Sequence, residues 1–154
     1  MKKLEGIFVT EDVTLITFEN APANIDFVSR IFRGIADSEI NVDMISQTPP
    51  RGNETSISCT VRDEDFYKLL ETSNKFRKDD PELKVSVSNG NCKISVCGDF
   101  MREQFGVAAT VFDAAASVGT DVRIITTSET VISMLVEKST VDATVNAIEK
   151  AFSK

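Results

Sequence analysis

An internal duplication constrains this chain more than any other feature. The segment Ile31-Phe32-Arg33-Gly34-Ile35-Ala36 is matched eighty positions later by Val111-Phe112-Asp113-Ala114-Ala115-Ala116, and the same offset pairs Val42 with Val122, Ile45 with Ile125 and Ser46 with Thr126. Past the next turn the offset falls to seventy-five, pairing Ile57-Ser58 with Ile132-Ser133 and Val61 with Val136. The change of five residues places a longer hairpin loop in the first copy, at Thr48-Pro49-Pro50-Arg51-Gly52-Asn53. The chain therefore holds two homologous units.

Within each unit the hydrophobic period switches between two and 3.6 in the same order. In the first, residues 13–18 alternate as a strand, Ile25, Val28, Ile31, Phe32 and Ile35 recur at helical spacing, and Ile40, Val42 and Met44 alternate again. Residues 55–61 form the next strand after the Pro-Gly loop. Asp63 caps a second helix carrying Phe66, Leu69, Leu70 and Phe76, and Leu83, Val85 and Val87 close the unit with a short strand. The second unit repeats this order: a strand over 93–96, a helix over 104–118, strands over 122–126 and 131–136, and a final helix opened by the capping-box-like Ser139-Thr140-Val141-Asp142.

The second unit then lacks its last strand. Residues 4–9 read as an extra strand ahead of the first unit, and the economical solution gives that strand to the second. The expected fold is α+β: two βαββαβ modules, each an antiparallel four-stranded sheet with helices on one face, the first inserted into the second. The expected boundaries are 11–89 for the first module and 1–10 plus 90–154 for the second. No Gly/Ser-rich linker separates them. Units of about 70 residues bury little core alone, so sheet or helix pairing and a homodimer are expected.

Composition narrows the function. A net charge of −7 and a pI near 4.7 oppose nucleic acid, which needs a basic stripe. The same element order occurs in an RNA-binding module that stacks bases on strand aromatics, but here Tyr67 is the one tyrosine and tryptophan is absent. With no histidine, neither Ser-His-Asp nor Cys-His catalysis nor an imidazole zinc site can be assembled. Cys59, Cys92 and Cys97 lack Cys-x-x-Cys spacing, and Cys59 and Cys97 sit in apolar strand patterns as buried thiols do. Asp63-Glu64-Asp65 and Asp79-Asp80 read as capping and loop acids rather than metal ligands, so no metal and no cofactor is expected. No apolar run reaches membrane-spanning length, and the Met1-Lys2-Lys3 start is followed by no signal-like stretch, so a cytoplasmic protein is expected, without membrane contact.

A resemblance to a known family rests on several motifs together. The stretch 35–47, Ile-Ala-Asp-Ser-Glu-Ile-Asn-Val-Asp-Met-Ile-Ser-Gln, resembles the first ACT module at the C-terminus of aspartate kinases. Phe105-Gly106-Val107-Ala108-Ala109-Thr110-Val111-Phe112, followed by Val122-Arg123-Ile124-Ile125-Thr126-Thr127-Ser128-Glu129, resembles the second. Lys93-Ile94-Ser95-Val96-Cys97-Gly98 with Met101, and Leu4-Glu5-Gly6-Ile7, resemble the flanking strands. The resemblance implies ferredoxin-like modules that bind lysine or threonine and alter an attached kinase domain. Nothing here resembles that domain's Lys-Phe-Gly-Gly signature, so the chain is not expected to be an enzyme. Met1 at a module start favours a natural short chain. A separate regulatory subunit, a stand-alone sensor and a fragment of a full-length aspartate kinase all stay open.

The resemblance also carries candidate effector contacts: Asn41, Val42 and Gln47 in the first unit, and Gly106, Val107, Ala108, Asp121, Val122 and Ser128 in the second. An amino-acid site needs free backbone N–H groups for the carboxylate and an oxygen for the ammonium. Gly106 serves that purpose or simply permits a tight turn. Asp121 stands where the family often has asparagine; it accepts from an ammonium but cannot donate. Ser128 can equally form a turn, and Gln47 can equally serve the strand edge. Thr55 is a weaker candidate. The family's first-helix turn carries glycine, whereas residues 19–26 have none and offer Asn24 as a cap, and Phe105 replaces a proline. Both sites stay open as candidates, and if only one binds, the Gly106 loop is the one expected to do so. The expected partners are a small amino acid, a second copy of the chain and a separate kinase subunit; the competing reading is a ligand-free dimerisation or subunit-assembly module.

Overall fold

A computed structural model describes residues 4–153. Residues 1–3 and 154, expected at the ends of the second module, lie outside the described residues. The elements run β1 (Gly6–Pro22), α1 (Ile25–Asp37), β2 (Ile45–Gln47), β3 (Glu54–Arg62), α2 (Phe66–Asp79), β4 (Lys84–Cys97), α3 (Val107–Ser117), β5 (Val122–Thr127), β6 (Val131–Glu137) and α4 (Val141–Phe152). The chain divides into two compact units, one of residues 12–89 and one taking residues up to Glu11 and from Gly90 onward.

In the unit of residues 12–89, β3 lies between β2 and β1, antiparallel to both. The pairing sets Ile16 opposite Cys59 and Phe18 opposite Ile57. These four side chains are at most 1% exposed, which turns the period-two alternation of the sequence into a buried sheet face. Ile31 and Ile35 of α1 and Leu69 and Phe76 of α2 cover it, with the Phe18 and Phe76 rings edge to face at 6.0 Å. Fully burying side chains of this size is worth roughly 1.5–3 kcal/mol each. Gly34 brings α1 against α2, since a Cβ there would stand 2.6 Å from the Phe76 ring.

The second unit repeats the plan. Here β6 lies between β4 and β5, again antiparallel. Ile132, Met134 and Val136 join Ile94 and Val96 under Val111 of α3 and Ile148 of α4. The Glu5 N–H donates to the Cys97 carbonyl at 3.0 Å, which ties the start of the chain to β4. The duplication reaches single hydrogen bonds: Thr17 and Ser58 hydroxyls meet at 2.9 Å across β1 and β3, and Ser95 and Ser133 hydroxyls at 2.9 Å across β4 and β6.

Several local expectations change. Residues 4–9 and 13–18, read as separate strands, belong largely to the one strand β1, and residues 83–87 and 93–96 fall mostly within β4. Asp12 and Gly90 take left-handed φ of 57° and 69° inside these strands, so the strands continue past breaks that composition suggested. Residues 40–44 are not a strand: Ile40 and Met44 are buried, but the Met44 N–H donates to the Thr60 hydroxyl at 2.9 Å instead of continuing a regular ladder. Asp63 caps no helix. The chain enters α2 through a 3-10 turn over Asp63–Asp65, and Asp63 accepts the Thr14 hydroxyl at 2.6 Å. Ser139-Thr140 likewise forms a 3-10 turn, and no side chain caps α4. The α3 helix starts at Val107, three residues later than its period suggested. Cys59 and Cys92 are buried, whereas Cys97 is half-buried.

Candidate functional site

The two units differ where their first helices begin. Asn24 caps α1 in the expected way, its side-chain oxygen accepting the Phe27 N–H at 2.8 Å. That oxygen fills the position an incoming anion would use. At α3 the N-cap is Gly106 in a left-handed conformation (φ 82°, ψ 3°), and no side chain caps the helix. The Thr110 N–H makes the helix's first backbone bond, to the Gly106 carbonyl at 2.9 Å. The first-turn N–H groups and the positive end of the helix dipole are thus presented where the sequence loses its capping side chain.

An open cleft of about 650 Å³ forms at this end of the second unit. Its walls come from the loop after β4 (Met101, Arg102, Gln104, Phe105), the start of α3 (Gly106, Val107, Ala108) and the β5–β6 turn (Thr127, Ser128, Glu129), with Ile132 at the base. The turn is held by the Ser128 N–H donating to the Val131 carbonyl at 2.9 Å, and the Thr130 N–H reaches the Ser128 hydroxyl at 3.4 Å. Arg102 Nε stands 3.6 Å from Glu129 Oε2, with both side chains mostly exposed, so the pair spans the two loops at low energetic cost to separate. Phe105 is fully exposed. The cleft therefore combines hydrogen-bond donors, one cation, one carboxylate and an apolar base, which suits a small zwitterion.

The cleft gathers four of the nine residues named from sequence: Gly106, Val107, Ala108 and Ser128. Asp121 is exposed just ahead of β5, and Val122 packs partly buried against the second unit's core. In the first unit, Asn41 is exposed in the segment before β2, Val42 packs against the core of that unit, and Gln47 is exposed at the end of β2. Thr55 is buried and donates to the Thr48 carbonyl at 2.6 Å. Arg102 and Glu129 were not among the named residues; a helical or strand period carries no trace of two loop residues meeting across a turn. Among the described residues no group of acidic residues and cysteines is arranged to hold a metal, and no helix is long and apolar enough to cross a membrane.

Comparison with known proteins identifies the family. The family model of the ACT domain matches residues 19–72 and 94–152. The aspartokinase of Bacillus sp. (strain MGA3) is 28% identical over 149 residues, covering 97% of this chain and 36% of that protein. The chain thus spans little more than a third of the length of the curated relatives it matches. The ligand-free regulatory subunit of aspartate kinase from Thermus thermophilus superimposes with a TM-score of 0.90 at 25% identity, over 98% of this chain and 99% of that one. A structure of aspartokinase alpha and beta subunits superimposes with a TM-score of 0.87 at 29% identity, over 98% and 99% of the two chains. The chain belongs to the ACT-domain family, as a tandem regulatory region of the aspartate-kinase kind, with no kinase domain within these 154 residues.

Proposed function

We propose that this chain is a cytoplasmic sensor that binds a small amino acid, with lysine and threonine the first ligands to try, and passes the binding on to an aspartate-kinase catalytic partner. The single observation that carries the reading is the α3 cleft. There an uncapped helix start, Arg102 and Glu129 line one open cleft. A ligand carboxylate accepts from the first-turn N–H groups and Arg102, and its ammonium donates to Glu129 and Ser128. Binding regulates only if two states of the assembly differ in affinity for the ligand. The compact units, divided after Glu11 and after Asn89, fall within one residue of module boundaries at 11–89 and at 1–10 plus 90–154, and support the first module being inserted into the second. The first unit's contacts belong to Asn41, Val42 and Gln47, and those of the second extend to Asp121 and Val122.

Calorimetric titration with the twenty amino acids tests the reading. Binding of one or two of them, weakened by Arg102→Gln and by Gln47→Ala, is the expected result. Silence across the panel removes the sensor.

One observation favours a second reading, a module for dimerisation or subunit assembly. Ile25 (76% exposed) and Ile45 (52%) recur eighty positions on as Phe105 (100%) and Ile125 (45%), so both units expose apolar side chains at matching places. Such repeated exposure fits contact with a second copy or a kinase subunit. Sedimentation of the chain alone distinguishes a dimer from a monomer that needs its partner.

A further inference from the structure

Phe100 and Phe105 lie five residues apart on the loop between β4 and α3 and meet opposite fates. Phe100 is 7% exposed, and its ring stands 6.4 Å from that of Phe152 in the second unit's core. The loop is built around it. Gly98 leaves the space that the ring needs, since a Cβ there would stand 2.5 Å from it. The Glu103 and Gln104 N–H groups both donate to the Phe100 carbonyl, at 3.1 and 3.0 Å, and the Met101 N–H donates to the Gly98 carbonyl at 3.1 Å. Phe105 follows this anchored turn and precedes the left-handed Gly106, so the backbone is directed on both sides of it. Its side chain is nonetheless fully exposed. A phenylalanine buries about 150–250 Å² when covered. A ring of that size left in water at the edge of a cleft marks a surface that binding would cover.

The rest of the cleft indicates what covers it. Arg102 and Glu129 are the one cation and the one carboxylate of the lining, and they take the ligand's α-carboxylate and α-ammonium. The lining then holds no ionic group for a charge on the ligand's side chain. Its apolar members include Met101, Phe105 and Ile132. Ile132 is buried and Met101 half-buried, so the core fixes this part of the wall, and Phe105 is the one of the three with most of its surface still to give up. A phenylalanine ring in open solvent is a weak partner for a cation, so it selects carbon rather than charge.

We propose that Phe105 is a specificity-determining residue of the α3 cleft, which selects amino acids with an uncharged, partly apolar side chain whose carbon atoms cover the ring. The proposal rests on the sensor reading for the placement of the ligand's α-groups and adds the wall that tells one amino acid from another. Two pairs of probes separate carbon from charge: threonine adds one methyl to serine, and lysine carries an ammonium at the end of the norleucine chain. All four are titrated calorimetrically into wild type, Phe105→Ser, Phe105→Leu and Arg102→Gln. Phe105 and Arg102 are exposed, and circular dichroism checks that each variant folds. In wild type, threonine is expected to bind about fourfold more tightly than serine, the gain from one buried methyl, and norleucine more tightly than lysine. Phe105→Ser is expected to bring threonine to within about twofold of serine while leaving serine itself unchanged, which a merely loosened loop would not do. Phe105→Leu is expected to restore most of the difference, and Arg102→Gln to weaken all four ligands alike. A threonine-to-serine ratio equal in wild type and Phe105→Ser, or lysine tighter than norleucine, overturns the proposal and leaves the sensor reading standing. If none of the four binds, the proposal falls, and the sensor reading falls with it only on silence across all twenty amino acids. Altered sedimentation of Phe105→Ser with the ligand preferences intact also overturns it, and gives the ring to the interface of the second reading.

Discussion

Replacing Gly106 isolates the backbone geometry on which the α3 cleft depends. A Cβ built at this position meets nothing within 4 Å, so Gly106→Ala introduces no clash, and its whole effect comes from φ at 82°. Holding an L-residue in the left-handed region costs roughly 1–2 kcal/mol. Alanine also restricts the unfolded chain, which offsets roughly 0.4–1 kcal/mol of that. The net expectation is a loss of about 1 kcal/mol, or a fall in Tm of about 2–4 °C for a chain of this length. Asparagine tolerates the left-handed region better than alanine, so Gly106→Asn is expected to recover most of the loss, and the β-branched Gly106→Val to exceed it. Urea unfolding followed by circular dichroism orders the series. Equal stability for glycine and alanine, or an asparagine variant no better than alanine, refutes the argument that φ alone governs the position.

Other positions give independent checks. Asn24→Ala removes the α1 cap and is expected to cost about 1 kcal/mol in the same unfolding assay. Thr120 and Thr144 are both buried with their hydroxyls 2.6 Å apart, so Thr144→Val strands the Thr120 hydroxyl and is expected to cost about 1–3 kcal/mol. The double change Thr120→Val with Thr144→Val is expected to regain part of that, measured as a double-mutant cycle. Burial pushes the Cys59 thiol from 9.0 up to about 12, so the folded protein keeps its proton where the unfolded chain releases it. Stability from this group is complete below about pH 9 and falls between about pH 9 and 12 by about 1.4 kcal/mol per pH unit. Across that window wild type is expected to lose more stability than Cys59→Val as pH rises, and parallel pH dependences contradict the burial argument.

Much of the fold was legible because the duplication exposes it twice. Residues 122–126 and 131–136 match β5 and β6 closely, since a run from Val131 to Val136 that is apolar except for the buried Ser133 leaves a buried central strand few alternatives. The Asn24 cap was equally readable from its local chemistry. The caps at Asp63 and Ser139 were not, because 3-10 turns precede α2 and α4, and the Asp63 carboxylate is engaged by Thr14 from a distant strand. Alternation at Ile40, Val42 and Met44 correctly marked inward-facing residues but overcalled a strand, since Thr60 supplies a side-chain acceptor to the Met44 N–H. At the site, Gly106 was visible as a glycine opening an apolar helix. Arg102 and Glu129 were not, because their meeting depends on two loops brought together only by the folded sheet.

The most direct measurement is the backbone amide spectrum of 15N-labelled protein during titration with threonine and lysine. A ligand carboxylate seated at the start of α3 should shift the Val107 and Ala108 amides first, saturably, with smaller shifts at Ser128 and Glu129. Saturable binding detected by calorimetry that leaves those amides unmoved, or amides unmoved because no amino acid binds, contradicts the assignment of the α3 cleft as the effector site.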